Sequence, residues 1–247
     1  MTREFEVRKE QDLPATPEQV WAAVATGAGN LGWLYPMEVE PGVGGKVTRS
    51  DSTVVVWEPP SHFAVRATMG DEFSNTLSYR IEPVDSGTSH LRMGIHWVHE
   101  GVWDETWDTK AGAAEKHVHF YQHGLAEYLR HFGGRPAVYV KSQRPEPTAD
   151  PADFAALRRR LGLPDDAAAG DWLSLHVPGP GGGSQEVVVD WISPDFVGLR
   201  GPDALYRFFN GSTWNWPIWL GHHLFAEDAD EQQATKAWNA WLNDTQA

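Results

Sequence analysis

The sequence predicts an α+β protein in which a meander of antiparallel strands is followed by a long helix, a plan used twice. Residues 37–99 contain strand-like runs separated by turn residues, whereas residues 104–132 contain few helix breakers and have helical apolar spacing. Residues 54–66 and 187–200 share the order valine run, Trp, Pro, Phe, aliphatic residue and Arg. This repeated order of residues indicates one β-rich module that recurs in shortened form.

The first half opens with a strand and a helix. Residues 3–13 alternate apolar and charged side chains, as a half-buried strand does. Thr16 is placed as an N-cap and Gln19 completes a capping box, so a helix begins there; Gly27 and Gly29 are expected to end it. The strand-like runs that follow are 37–40, 45–50, 53–58, 62–69, 73–82 and 89–99.

Strand parity predicts which side chains of the meander point inward. Side chains alternate between the two faces of a strand, so the mainly apolar set should face the core. This inward set is Phe63, Val65, Ala67, Met69, Leu77, Tyr79, Ile81, Met93, Ile95, Trp97 and His99. By the same alternation, Arg66, Arg92 and His96 should point outward.

The second half repeats the plan with a reduced front end. Residues 141–152 are polar and rich in proline, which predicts a linker. A short helix from about 150 to 161 and a closing helix from 228 to 242 flank strands at about 172–177, 185–192, 196–200, 204–209 and 216–225. Residues 137–140 offer a possible first strand. The predicted domains are therefore 1–140 and a shortened, related module at 150–247.

Four motifs in the first 132 residues occur in a recognisable order. They are 14–21 (PATPEQVW) followed by Trp33, 57–63 (WEPPSHF) at a strand turn, 82–88 (EPVDSGT), and 96–101 (HWVHEG) before the long helix. Their order and spacing resemble the START-like helix-grip superfamily, also called SRPBCC, and within it the Aha-type chaperone-ATPase activator family.

The resemblance implies a curved antiparallel sheet that grips a long C-terminal helix around an apolar cavity. Relatives in the superfamily include chaperone cofactors, polyketide aromatases and cyclases, lipid and hormone binders, and many bacterial proteins without an assigned reaction. No catalytic residue is common to them, so the resemblance implies a pocket rather than a reaction. The second half departs from the pattern because its front is too short for the usual helix pair. We expect that copy to serve as a scaffold or cover.

Composition excludes several classes of function. The 247 residues include no cysteine, which rules out disulfides and thiolate chemistry and favours a reducing cytoplasm. The net charge of -14 disfavours nucleic acid and anionic membranes as partners. No apolar run is long enough to span a bilayer, and the charged, strand-like N-terminus is unlike a signal peptide. The thirteen tryptophans suit a large core or an aromatic-lined pocket.

Six residues of the first half are predicted to line or gate a pocket, although the same residues would equally suit a filled core. They are Trp33, Trp57, Tyr79, Trp97, His99 and Tyr121. The segment 103–108, rich in carboxylates and tryptophan, is best explained as a helix N-terminus and is a candidate lid.

Other polar and aromatic clusters are interpreted structurally. Glu115, His119, His123 and Glu127 form a stripe with zinc-like spacing on the long helix, but we predict a solvated face with no metal and no cofactor. His222 and His223 should point to opposite faces of a strand. The aromatic cluster at 214–219 either packs the second module onto the first or forms a contact surface, and packing is favoured.

Three functions are consistent with these patterns. The first is binding of a hydrophobic or aromatic small molecule in the N-terminal cavity. The second is an aromatase or cyclase reaction there, in which His99 or Tyr79 moves protons. The third is a chaperone-partner role or a homodimer, which would need a contiguous exposed apolar patch, for example one that includes Trp214 or Trp219.

Overall fold

The computed structural model describes residues 2–48, 52–70, 72–100, 107–148, 150–179 and 182–244, with side chains omitted at 69 and 107–110. The chain divides into two compact units, Met1–Pro136 and Ala137–Ala247. Each unit has a six-stranded antiparallel sheet and a closing helix, so the α+β class is confirmed. None of the described helices has both the length and the apolar character needed to cross a bilayer.

The first unit is a strand, two short helices, five strands and one long helix. Its strands are β1 (Thr2–Leu13), β2 (Lys46–Val47), β3 (Ser52–Glu58), β4 (His62–Met69), β5 (Phe73–Pro83) and β6 (Ser89–Glu100). Its helices are α1 (Pro17–Ala25), α2 (Gly27–Asn30) and α3 (Trp107–His131). The strands lie in the order β1-β6-β5-β4-β3-β2, and α3 packs against β1.

The front of the first unit confirms two predictions and corrects one. The capping box is present, with the Gln19 amide donating to Thr16 Oγ1 and the Thr16 amide donating to Gln19 Oε1. α1 ends at Ala25, just before the two glycines, as predicted, and the glycines form the separate short helix α2. A Cβ at Gly29 would lie 2.0 Å from the Ala22 carbonyl oxygen, so this close approach requires glycine. The predicted strand at 37–40 is reduced to one bridge, Val39 to Val47, beside a glycine-rich turn.

The predicted inward face of the first sheet is confirmed. Across β5 and β6, Tyr79 pairs with Met93 and Leu77 pairs with Ile95, so these side chains share a face. All four are buried, as are Phe63, Val65 and Ala67 on β4 and Ile81 on β5. Arg66 and Arg92 are exposed on the opposite face, as the alternation of side chains along a strand requires. A one-residue shift in register would exchange the two faces, so this burial pattern confirms the predicted assignment of the faces.

The second unit has the same strand order, β7-β12-β11-β10-β9-β8. Its strands are β7 (Val138–Gln143), β8 (Trp172–Val177), β9 (Gly183–Ile192), β10 (Phe196–Gly201), β11 (Ala204–Phe209) and β12 (Trp219–Leu224), and its helices are α4 (Pro151–Arg160) and α5 (Glu231–Asn243). The predicted linker therefore begins too early, since residues 141–143 belong to β7. The last strand begins at Trp219, after a 3-10 turn at Ser212–Trp214.

The shortening of the second unit does not lie in its strand count. One front helix replaces two, and the closing helix has 13 residues where α3 has 25. The inner face of its sheet packs on α5 through Trp238 and Leu242. The shorter helix covers a shorter sheet, since β10, β11 and β12 have six residues each.

The two similar segments, residues 54–66 and 187–200, form the equivalent hairpin in each unit, β3–β4 in the first and β9–β10 in the second. Each hairpin carries a β-bulge in its first strand. In the first unit, Val54 pairs with Val65 and Val56 with Ala64, which leaves Val55 as the extra residue. In the second, Asp190 is the extra residue between partners of Leu199 and Gly198. The extra residue lies two positions before Trp57 in the first hairpin and directly before Trp191 in the second, so both hairpins bulge next to the tryptophan but in different registers.

The bulge at Asp190 supports a buried ion pair. Arg207 Nη1 lies 2.9 Å from Asp190 Oδ2, and the two side chains are 5% and 4% exposed. Gly198 leaves the space that this pair occupies. A Cβ at that position would lie 2.3 Å from Asp190 Oδ1 and 2.9 Å from Arg207 Nη1.

Gly198→Ala is therefore expected to destabilise the second unit by about 1–3 kcal/mol, as overpacking in a full interior does. Urea unfolding followed by tryptophan fluorescence measures the change. Gly201→Ala, at the end of β10, is the matched control, because a Cβ there meets only side-chain atoms at 3.4 Å or more. Equal stability of the two variants would contradict the close packing over the ion pair.

Candidate functional site

The inward face of the first sheet becomes accessible at one end. The cross-strand row of Val7, Ile95 and Leu77 is buried. One row further, Phe5 and Trp97 are half-buried, and in the last row Phe73 and His99 are half-buried as well. We call Phe5, Phe73, Asn75, Trp97 and His99 the open end. A ligand can therefore reach the inward face where β6 ends and β1 and β5 begin.

Aromatic rings form the walls of the open end. Phe5 and Trp97 are register partners, and their rings stack with centroids 4.4 Å apart and an interplanar angle of 18°. Phe73 and His99 are partners in the next row, with ring centroids 6.4 Å apart. Stacked and tilted rings of this kind present flat apolar surfaces, which suit a planar ligand.

Asn75 places one polar group among these rings. It is the partner of Trp97 on β6 and of Ala67 on β4, and it is 6% exposed. Its side-chain amide makes no hydrogen bond to another described residue. The Asn75 amide atoms are not among the enclosed polar atoms that lack a partner, so they keep contact with solvent at the open end. The amide is thus available to a bound molecule, as donor and as acceptor.

Sequence reasoning missed Asn75, although the signal was present. Asn75 has the same strand parity as Leu77 and Tyr79, which were assigned to the inward face. A polar residue at an inward position is more informative about function than the apolar residues around it, because burial of a polar group needs a reason.

Trp57 and Tyr79 lie in a different aromatic cluster. The Trp57 ring meets Trp21 edge-on at 5.0 Å and Phe63 at 5.7 Å, and Phe63 stacks parallel to Tyr79 at 6.4 Å. Tyr79 is buried, whereas Trp57 is half-buried. The cluster joins α1 to the β3–β4 hairpin, and packing is sufficient to explain it.

Trp33 and Tyr121 also lie outside the open end as defined. Trp33 is buried, and its indole Nε1 donates to the Ala23 carbonyl at 3.0 Å, so its polar atom is satisfied within the core. Tyr121, on α3, is half-buried beside Tyr35, with ring centroids 6.2 Å apart. Of the six predicted pocket residues, Trp97 and His99 belong to the open end.

The histidine stripe on α3 is less exposed than predicted. Glu115 is exposed, but Glu127 is buried and its carboxylate accepts from Arg130 Nη1 at 2.7 Å. A second contact joins Glu127 Oε2 to His131 Nε2 at 3.6 Å. No three His, Asp or Glu residues in the described ranges gather closely enough to hold a metal ion. The predicted lid at 103–108 lies outside the described side chains.

The aromatic cluster of the second unit is internally packed. Trp214 is buried and stacks on Phe196, and Trp219 stacks on Phe209 with centroids 4.7 Å apart. Trp216 bridges the two and is 42% exposed. Burial of Trp214 leaves Trp216 as the most exposed of these three tryptophans.

Comparison with known proteins gives structural similarity only. No protein-family model matches the sequence, and no curated protein matches it. The di-domain ARO/CYC protein BexL of the BE-7585A biosynthetic pathway is 12% identical, with a TM-score of 0.44 over 94% of this chain and 92% of that one.

Shorter solved structures match about half of the chain. A protein of Mesorhizobium loti is 19% identical, with a TM-score of 0.43 over 52% of this chain and 98% of its own. A protein of Bacillus halodurans is 20% identical, with a TM-score of 0.42 over 52% and 99%. Similarity at this level assigns no function to this chain. The helix-grip-like arrangement is evident in each unit from the strand order and the closing helix.

Proposed function

We propose that the first unit binds a neutral, oxygen-bearing aromatic molecule at the open end. The observation that carries the proposal is the Asn75 amide, which is buried among half-exposed rings without a hydrogen bond to another described residue. The Phe5–Trp97 stack and the Phe73–His99 pair supply flat walls. A hydroxyl or carbonyl on the ligand would satisfy the amide, which gives orientation as well as affinity.

Removal of the amide should weaken binding of a hydroxylated ligand selectively. Asn75→Leu keeps the branching of the side chain at Cγ but replaces the amide by two methyl groups, so the hydrogen bond is lost while an apolar side chain still fills the position. We expect about tenfold weaker binding of 2,7-dihydroxynaphthalene, and little change for naphthalene, which has no hydroxyl group. Isothermal titration calorimetry measures both affinities.

Thr76→Ala is the matched control, because Thr76 is the next residue on β5 and points to the opposite face. It should bind both compounds as the unmodified protein does. Equal weakening of dihydroxynaphthalene and naphthalene by Asn75→Leu would oppose hydrogen-bonded recognition. Failure of the unmodified protein to bind either compound would oppose the proposed site.

A cyclase or aromatase activity is the second candidate, and the position of His99 favours His99 over Tyr79 as the proton-transfer group. His99 lies at the accessible end of the inward face, whereas Tyr79 is buried under Phe63. A reaction would need a group within reach of the ligand. His99→Gln should then retain ligand binding and stop any change in the mass of the bound molecule. If His99→Gln loses ligand binding and has no effect on the mass of the bound molecule, the result would favour a protein that binds its ligand without a reaction.

A partner-binding role of the Aha type stays a prediction. That role calls for a contiguous exposed apolar patch. Of the two tryptophans considered for such a patch, Trp214 is buried and Trp219 is half-buried. Copurification of one protein at stoichiometric amount, lost in Trp216→Ala, would support that role.

A further inference from the structure

The second unit contains a cleft of about 230 Å³. It lies between the first half of α5, the end of β8, the start of β9, the turn between β10 and β11, and the end of β12. The residues that matter for its chemistry are Gln185, Asp203, Tyr206, Asp228, Ala234 and Trp238. All of its lining residues belong to the second unit, so this site is distinct from the open end of the first.

The cleft lies at the same position of the repeat as the open end. Ala204 and Leu224 pair at the start of β11 and the end of β12. Phe73 and His99 pair at the start of β5 and the end of β6, the equivalent strands in the other sheet. The second copy, which the sequence predicted to be a scaffold or cover, thus has its own concave site.

Small side chains leave the space. Ala204, Ala234 and Ala237 line the cleft, and Tyr206 and Trp238 form its floor. The Tyr206 hydroxyl donates to Gln185 Oε1 at 3.1 Å, which fixes the ring. Burial, and secondarily the charge of Asp203, raises the pKa of Tyr206, so the phenol stays neutral at physiological pH. A volume of this size is below that of a drug-sized pocket and suits a small ligand.

The charge of the rim selects the ligand class. Asp203, Asp228 and Asp230 line the cleft, and no Lys, Arg or His is among the described residues that line it. Asp230 also caps α5, since its Oδ1 accepts from the Gln233 amide at 2.8 Å. The negative field repels anions and favours a positive charge at the mouth, while the alanine walls favour apolar groups beside it.

We infer that this cleft binds a small organic cation of the alkylammonium class. Its apolar groups lie against Ala204 and Ala234 above the aromatic floor, and its charge lies near Asp203 and Asp228. The inference does not depend on the function proposed for the first unit.

Calorimetric titration of the full chain with choline and 3,3-dimethylbutan-1-ol tests the inference, because the two molecules have the same shape and differ in charge. Choline should bind at least about tenfold more tightly at low salt, with the difference falling as salt screens the rim. Asp203→Asn combined with Asp228→Asn should weaken choline about tenfold. Both residues are exposed, so folding is preserved.

Ala234→Leu should abolish choline binding by filling the cleft, whereas Ala240→Leu, on the exposed side of α5, should not change it. Asn75→Leu should also leave it unchanged, which separates this site from the first unit. Equal affinity for the alcohol, choline binding that persists in Ala234→Leu, or no binding of choline would each overturn the inference.

Discussion

Asp190→Ala is expected to destabilise the second unit by about 3–5 kcal/mol, because it leaves the Arg207 charge buried without its carboxylate. The pair has an N–O distance of 2.9 Å, and both side chains are nearly inaccessible to water. Loss of one partner forfeits the attraction but keeps the desolvation cost of the other. Urea unfolding gives the free-energy change from the midpoint and slope of the transition.

The double variant Asp190→Leu with Arg207→Met isolates the pair. Replacement of both charges by apolar groups should cost less than the sum of the single changes, because no charge is left alone. Glu82→Ala, which removes an ion pair with Arg92 at the surface, is the control and should cost less than about 1 kcal/mol. A cost of that size for Asp190→Ala would contradict the account of the bulge.

Stability of the second unit should fall as the pH is lowered below about 6.5, because His222 is held neutral in the folded state. The side chain is fully buried, and its Nδ1 accepts from the Arg207 amide at 3.0 Å. Nε2 therefore carries the hydrogen, and it has no hydrogen-bond partner among the described residues. Trp238 on α5 and Tyr206 on β11 pack against the ring.

Burial lowers the pKa of His222 well below its usual value, and the electrostatic influence of the neighbouring His223 and Arg207 adds to this effect. At a pH above the pKa of His222 in the unfolded chain, neither state binds the proton, so the full free energy of folding is present. At a lower pH the unfolded chain binds a proton that the folded chain does not bind. The free energy of unfolding therefore falls with pH until the pKa of the folded state is reached. Each pH unit in that window shifts the folding equilibrium by up to about tenfold.

Unfolding free energies between pH 7.5 and 5 measure this dependence. His222→Leu should lower stability at pH 7.5, since the Arg207 amide loses its acceptor, but should flatten the slope. His176→Leu is the matched control, because His176 is exposed in the same unit and its loss should leave the slope intact. An unchanged slope in His222→Leu would contradict the assignment.

The features predicted correctly from the sequence are those set by local chemistry. Alternation along β5 and β6 placed Tyr79, Trp97 and their neighbours on one face, because side-chain period and strand register leave one choice. Thr16 and Gln19 formed the capping box because both groups lie within one turn. The repeated valine run located equivalent hairpins in the two units. The bulge at Asp190 could be identified only from the strand pairing in the structure.

The site was less predictable because it depends on tertiary packing. Parity does not show where along a strand the inward face becomes accessible, so buried Trp33 and half-buried Trp97 looked equivalent. Asn75 was overlooked among apolar neighbours. The cleft of the second unit arises from alanines on α5 and β11 that meet only after folding.

Heteronuclear NMR of the indole and asparagine amide groups tests the central claim most directly. On addition of 2,7-dihydroxynaphthalene, the Asn75 side-chain amide and the Trp97 indole should show the largest shifts. The Trp33 indole, bonded to the Ala23 carbonyl, and the Trp238 indole of the second unit should stay unchanged. Saturable binding with shifts at Trp238 and none at Asn75 or Trp97 would contradict the account.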